Sequence, residues 1–355
     1  MIRIVRRTSI SVTIVMAIAV VPMVVFAAGG LANGAKPATS HGPKRTPAPT
    51  IASTPTPTAA PTLAITPPPT VPPTLPPTAP PTVPPTTPPS VVLVGAGDIA
   101  SCPSTGDEAT ATLLDGIAGT VFTLGDNVYD NGTATEFTNC YGPSWGRAAI
   151  KSRTKPTSGN HDYNTAGATG YFGYFGAAAG DPTKGYYAYD AGAWRVYVLN
   201  SNCSIIACTA GSAQEQWLRS DLAANPRACV MAMWHHPRFS SGSQHGSSTA
   251  TQALWQALYD NNADIVLTGH EHNYERFQPM TATGVVDAAR GLTEFVVGTG
   301  GRSHYGFGTI LSTSLVRNSD TYGVIKFTLS ATSWSFSFVH EAGMTFTDSG
   351  SGTCH

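Results

Sequence analysis

The sequence predicts an α/β domain with two sheets, confined to residues 91–355 of the 355-residue chain. Three observations predict it. Short β-branched runs alternate with helix-period segments early in that stretch, and strand runs dominate late. Composition changes sharply near residue 90. The turns that follow the strands carry Asp, Asn, His and Tyr, and α/β sheets bind ligands at the carboxyl ends of their strands.

The compositional boundary is clear. Of the 28 prolines, 20 lie between Pro37 and Pro89, whereas all six cysteines, all 21 acidic residues and nine of the ten histidines follow residue 90. The 265 residues after that point are ample for one large domain with its own core. Residues 91–355 carry 14 Lys/Arg against 21 Asp/Glu, a net −7, while residues 1–90 carry six Lys/Arg and no acid. A domain of that sign lacks the electrostatic footprint of a nucleic-acid binder, so no nucleic-acid partner is expected.

Residues 1–28 read as a secretory signal. Arg3, Arg6 and Arg7 precede an apolar run from Ile10 to Phe26, and Val25-Phe26-Ala27 offers a cleavage site. The alternative is an uncleaved anchor, which would be the only contact with a membrane. Residues 29–90 form a Pro/Thr-rich linker that settles from Pro67 into a four-residue beat, PPPT-VPPT-LPPT-APPT-VPPT-TPPS. Such a segment buries no core and is expected as extended polyproline II, spanning roughly 75 Å over its last 24 residues at about 3.1 Å each. It reads as a stiff spacer, with association to a cell wall as a further role. Secretion or display at the cell surface fits six cysteines in an oxidising compartment. Cys203 and Cys208 are placed to pair across a loop. Cys102 with Cys140 and Cys229 with Cys354 complete one of the 15 pairings that six cysteines allow.

Within the domain, strands are expected at Val91–Ala96, Thr120–Leu124, Trp194–Asn200, Ala228–Trp234, Asp264–Thr268, Glu294–Val297, Gly323–Leu329 and Trp334–Val339. Helices are expected at Glu108–Ile117, Ser212–Ala223 and Thr249–Tyr259. The polar residues fall just after these runs. They are Gly97-Asp98, Gly125-Asp126-Asn127-Val128-Tyr129, Gly159-Asn160-His161-Asp162, His235-His236-Pro237, and Gly269-His270-Glu271-His272-Asn273-Tyr274-Glu275-Arg276. A Gly-Asp after a strand is ordinarily a turn. Five such ends in succession, all bearing oxygen and nitrogen donors, point instead to a site for hard or borderline cations.

In this order the blocks resemble the calcineurin-like metallophosphoesterases, and more narrowly the purple acid phosphatases. The narrower likeness rests on Tyr129, three residues after Asp126. The wider superfamily opens with Asp-x-His, whereas here Asp98-Ile99-Ala100 lacks the histidine and Tyr129 takes its place. Ala100 and Ala232 depart from the family's usual Gly and Val, both off the ligand positions. The resemblance covers most of 91–355 and none of 1–90.

It implies a four-layer α/β/β/α sandwich of two mixed sheets flanked by helices, with a metal site at the carboxyl ends of strands. It further implies Fe(III) on Asp98, Asp126, Tyr129 and His272, and a divalent metal (Zn, Fe or Mn) on Asp126, Asn160, His235 and His270. The activity implied is hydrolysis of a small phosphate monoester by direct attack of metal-bound hydroxide. His161 and His245 are implied in phosphate binding and general-acid work, with His236 as a further substrate contact. Asp162 and Glu271 are expected to orient neighbouring histidines, and Arg276 to anchor the ligand loop by ion pairing. Gly298-Thr299-Gly300-Gly301 is expected as a turn bordering the cleft, and Tyr171, Phe172, Tyr174 and Phe175 as packing residues. The alternatives are a phosphodiesterase or nucleotide hydrolase with two divalent metals, and a catalytically silent surface module.

Overall fold

The computed structural model describes residues 89–355, so the expected signal and nearly all of the linker lie outside the described residues. Strands and helices alternate first: β1 (Val91–Ala96), α1 (Gly106–Asp115), β2 (Thr120–Thr123), α2 (Ala134–Glu136), α3 (Ala148–Lys151), β3 (Thr154–Lys155), α4 (Thr169–Phe175), β4 (Tyr187–Ala191), β5 (Trp194–Val198), α5 (Ala213–Ala224), β6 (Val230–Met233), α6 (Gln252–Asp260) and β7 (Ile265–Thr268). Six strands follow without a helix: β8 (Tyr274–Phe277), β9 (Thr293–Val297), β10 (Ser314–Asn318), β11 (Gly323–Leu329), β12 (Ser333–His340) and β13 (Ser349–Thr353).

They form two mixed sheets, as expected. The first has the order β13-β12-β11-β1-β2-β3 and the second β10-β8-β9-β7-β6-β5-β4. Strands β1, β2 and β3 run parallel, as do β5, β6, β7 and β9, and the outer strands are antiparallel.

The side-chain period of two explains the layering. In the second sheet Val196, Val198, Met231, Met233, Ile265, Leu267, Phe295 and Val297 belong to the cluster shared with Val94, Phe122, Ile325 and Phe327 of the first sheet. The intervening Tyr197, Val230, Ala232, Val266 and Val296 pack instead with Leu218, Leu222, Leu254, Trp255 and Leu258 of α5 and α6. Each strand buried on both faces reads as a continuous apolar run, which is why these strands were legible. α5 starts at a Ser212 side chain that accepts the Glu215 N–H.

The sequence missed β3, β4, β8, β10 and β13. The Tyr274–Arg276 stretch, expected in the ligand loop, opens β8 and pairs with β9. Its charges are met by tertiary partners: Ser241 N–H donates to Glu275, and Arg276 pairs with Asp348 at 2.7 and 3.1 Å. A pattern of local hydrophobicity does not reveal such partners. Arg276 makes its ion pair from within β8 and so ties the strand that directly follows the ligand loop to the C-terminal segment.

Disulfides join Cys102 to Cys140, Cys203 to Cys208 and Cys229 to Cys354. Tyr171 and Phe175 are buried among Phe137, Tyr141 and Tyr174, in packing roles.

Candidate metal centre

The site lies where the two sheets meet. Gly97 N–H donates to Val297 O at 2.8 Å, joining the end of β1 to the end of β9. Asp98 N–H donates to Gly125 O, and Gly269 N–H to His235 O. These bonds draw the turns after β1, β2, β6 and β7 into one cluster. Asp98, Asp126 and His270 have φ of 60°, 49° and 71°, a left-handed backbone that is costly without glycine. Only two other non-glycine residues described here share it, so backbone strain concentrates at the site. The glycines beside them leave space that a side chain would fill. A Cβ on Gly125 would lie 2.6 Å from the His235 ring, and one on Gly159 would lie 2.2 Å from Asp126 Oδ1.

Two groups of donors result. The Tyr129 hydroxyl is 2.8 Å from Asp98 Oδ1, 3.0 Å from Asp126 Oδ2 and 3.1 Å from His272 Nε2. His235 Nε2 is 3.2 Å from Asp126 Oδ2, 3.1 Å from Asn160 Oδ1 and 3.1 Å from His270 Nδ1. Asp126 Oδ2 belongs to both groups.

Both metal-facing rings are held from behind. His235 Nδ1–H donates to the Leu124 carbonyl at 2.7 Å, and His272 Nδ1 is 2.7 Å from Ser303 Oγ. Both rings therefore present Nε2 to the cluster. Ser201 Oγ accepts the N–H groups of His235 and His236 and lies 2.8 Å from His236 Nδ1.

These residues fit a pair of cations. An Asn oxygen, a carboxylate oxygen and an imidazole nitrogen all face His235 Nε2, although none of the oxygens can donate a hydrogen bond. Acceptors packed this closely repel unless something positive sits among them. Burial opposes a charge on His235, yet Asp126 outweighs it and pushes the imidazole up to about 9. The attraction that would hold a proton there would equally hold a metal. Burial, and then His235 beside them, drives His236 down to about 3 and His270 lower still, which keeps both in the neutral form that ligates. Burial and then Asp126 and Asp98 push the Tyr129 phenol well above its ordinary value. Its ionisation would need a strongly charged cation.

His161 lies on the Tyr129 ring, with centroids 4.4 Å apart, and its Nδ1–H donates to Asp130 O at 2.7 Å. His245 stacks on His270 at 4.0 Å. His236 is 4.4 Å from the His270 ring, and one ring nitrogen from each of His235, His236 and His270 lies within 4.8 Å of the others.

Asp162 orients no histidine. It accepts from Asn127 Nδ2 at 2.9 Å and Gly159 N–H at 2.8 Å, bracing two turns, and burial pushes it up to about 7. Glu271 touches no imidazole directly; it accepts the backbone N–H groups of His245 and Gly246. The Gly298–Gly301 turn lies against the site: a Cβ on Gly298 would meet Glu271 O at 2.1 Å, and Arg302 N–H donates to Asp98 O.

Sequence reasoning missed Ser201, Arg302, Ser303 and Tyr305. The Tyr305 ring stacks flat on His272 at 3.9 Å, and the Arg302 guanidinium lies 5.0 Å over Tyr129 and 3.1 Å from Asp130 Oδ1. For Arg302, Ser303 and Tyr305 the one signal was the glycine turn just before them; Ser201 had none.

Residues 93–274 match the calcineurin-like phosphoesterase family. The chain belongs to that family. Among its relatives is an uncharacterized protein of Mycobacterium tuberculosis, 27% identical over 185 residues, which are 42% of this chain and 35% of that protein. Purple acid phosphatase 15 of Arabidopsis thaliana is 33% identical over 103 residues, 28% of this chain and 19% of that one. The matched stretches thus span about a third or less of these relatives' own length. The fold is similar to that of a purple acid phosphatase from yellow lupin (Lupinus luteus) seeds, with a TM-score of 0.61 at 20% identity over 74% of this chain and 54% of that one. It is also similar to GAP50, the anchor in the inner membrane complex of Plasmodium, with a TM-score of 0.57 at 15% identity over 75% and 89%.

Proposed function

We propose that this protein is an exported phosphomonoesterase of the purple acid phosphatase type. The observation that carries the reading is the Tyr129 hydroxyl set among Asp98, Asp126 and His272, with Asp126 Oδ2 shared with the His235 group. Phenolate and carboxylates are anionic hard ligands suited to Fe(III). Asp98, Asp126, Tyr129 and His272 would hold that ion. Asp126, Asn160, His235 and His270 would hold a divalent one. Two such cations supply charge stabilisation for in-line phosphoryl transfer and activate water.

The chain's own residues do the rest. His161 is held by its backbone N–H on Asp126 Oδ1 at 2.8 Å and is about one-third exposed, which suits it to bind a phosphate oxygen. A water oxygen forms the new bond to phosphorus as the P–O bond to the leaving group breaks, and the proton the water gives up passes to solvent. His245 gives its proton to the departing oxygen. His236, with Nδ1 at Ser201, offers Nε2 to the substrate. Three disulfides support export to an oxidising compartment.

The test is a visible absorption spectrum of the purified protein, with metal content determined on the same sample. A tyrosinate–Fe(III) charge-transfer band with about one iron and one divalent metal per chain is the expected result. Two zinc or manganese ions and no band would move the reading to a phosphodiesterase. No tightly bound metal would return it to a silent surface module.

A further inference from the structure

The segment that leads from His235 to α6 carries His245, and its backbone is gripped by three buried glutamates, two on strands of the second sheet and one in the turn after β7. Glu294 of β9 accepts from the N–H groups of Arg238 and Phe239, at 3.0 Å each. Glu275 of β8 accepts from Ser241 N–H at 2.7 Å. Glu271, between His270 and His272, accepts from His245 N–H at 2.5 Å and from Gly246 N–H at 2.6 Å. All three glutamates are fully buried. A loop of this kind would ordinarily satisfy its N–H groups with carbonyls or water. Carboxylates bind them about twice as strongly, but cost more to bury.

The Glu271 bonds fall on His245 itself and on the residue after it. The other side is closed by Gly242, where a Cβ would lie 2.1 Å from Glu271 Cδ. The carboxylate is therefore wedged between Gly242 and the 245–246 peptide. The His245 ring it supports is stacked on His270 with an interplanar angle of 29°.

We propose that Glu271 is a positioning residue, whose carboxylate holds the His245–Gly246 peptide and so sets the His245 imidazole over His270 within reach of the leaving oxygen. The proposal rests on the reading of His245 as general acid, and the experiment separates the two. p-Nitrophenyl phosphate releases a leaving group that departs without a proton, whereas the alkoxide of glycerol phosphate needs one. Steady-state kcat and KM on both substrates are measured for the metal-loaded full chain and its variants, with metal content determined for each. The His245 ring proton shift is followed by NMR in the metal-free protein.

His245→Ala should lose about 10²-fold in kcat on glycerol phosphate and less than about 5-fold on p-nitrophenyl phosphate. Glu271→Ala and Gly242→Ala should show the same split at roughly 10–50-fold, with metal content kept and the His245 ring shift moved away from its stacked value. Glu271→Gln, which keeps the shape and weakens both bonds, should fall between. The double variant Glu271→Ala/His245→Ala should be no slower than His245→Ala, because one residue acts through the other. Equal losses on both substrates, loss of metal, or additive effects in the double variant would overturn the proposal. Should Glu271→Ala not fold, Glu271→Gln and Gly242→Ala decide on the same substrate pair. A His245→Ala variant with unchanged glycerol phosphate hydrolysis would sink the general-acid reading instead, while the ring shift would still report whether Glu271 places the imidazole.

Discussion

The Leu124 carbonyl accepts the Nδ1 proton of His235 at 2.7 Å, across 111 residues of sequence. That bond leaves the Nε2 lone pair facing Asp126 Oδ2 and Asn160 Oδ1. A ligand oriented this way needs no reorganisation when a cation arrives.

Replacing His235 or Asn160 by alanine should therefore remove one metal equivalent and lower kcat on p-nitrophenyl phosphate by at least about 10²-fold. Metal analysis and steady-state kinetics on the same preparation check it. Unchanged activity would sink the site assignment. Gly125→Ala should have the same phenotype, because its Cβ would meet the His235 ring at 2.6 Å where φ is already +84°.

Tyr129→Phe keeps the ring between His161 and Arg302 and deletes only the hydroxyl. Affinity for the metal on that side should fall by more than the ~10–100-fold typical of an outer-shell contact. The visible band should vanish even in iron-reconstituted protein. Titration of iron into metal-free variant and parent, followed by absorbance, makes the comparison.

Asp107 is buried at the start of α1, its Oδ1 has no hydrogen-bond partner, and burial pushes its pKa from 3.8 up to about 6. The folded state then binds a proton more tightly than the unfolded state between those values. Stability should fall as pH rises through that window and stay lower above it. Asp107→Asn should remove the Asp107 share of this slope, making it shallower than in the parent, and raise stability at pH 7 by on the order of 1–3 kcal/mol. Urea unfolding at pH 4 and pH 7 measures both effects, and equal slopes in parent and variant would refute the burial argument.

The disulfides should contribute unequally. Cys229–Cys354 spans a separation of 125 residues and Cys203–Cys208 only 5. By loop-closure entropy, serine replacement of the first pair should cost about 5 kcal/mol and of the second about 2 kcal/mol. Denaturant midpoints of the two double-serine variants give the ranking.

Much of this was legible in the sequence because the information is local. A strand buried on both faces is an unbroken apolar run, and Leu93, Val121, Met231 and Ile265 lie in such runs at no exposure. The polar turn that follows each run names its donors directly. Strand β8 was not legible, because Glu275 and Arg276 break its apolar pattern and their charges are met by the distant Ser241, Ser314 and Asp348. Strand β13 was not legible either, since Ser349–Thr353 has no apolar pattern and pairs at the edge with β12.

The sequence by itself determined which side chains are available to bind cations, and that they follow strands of an α/β domain. Only the tertiary structure decided which imidazole nitrogen each histidine presents, and where His245 stands. Those depend on Leu124, Ser303 and Glu271, whose atoms act on partners 111, 31 and 26 residues away. The Leu124 bond exists only once the two sheets have packed, and the other two only once the turns after β6, β7 and β9 of the second sheet come together, so no local pattern encodes them.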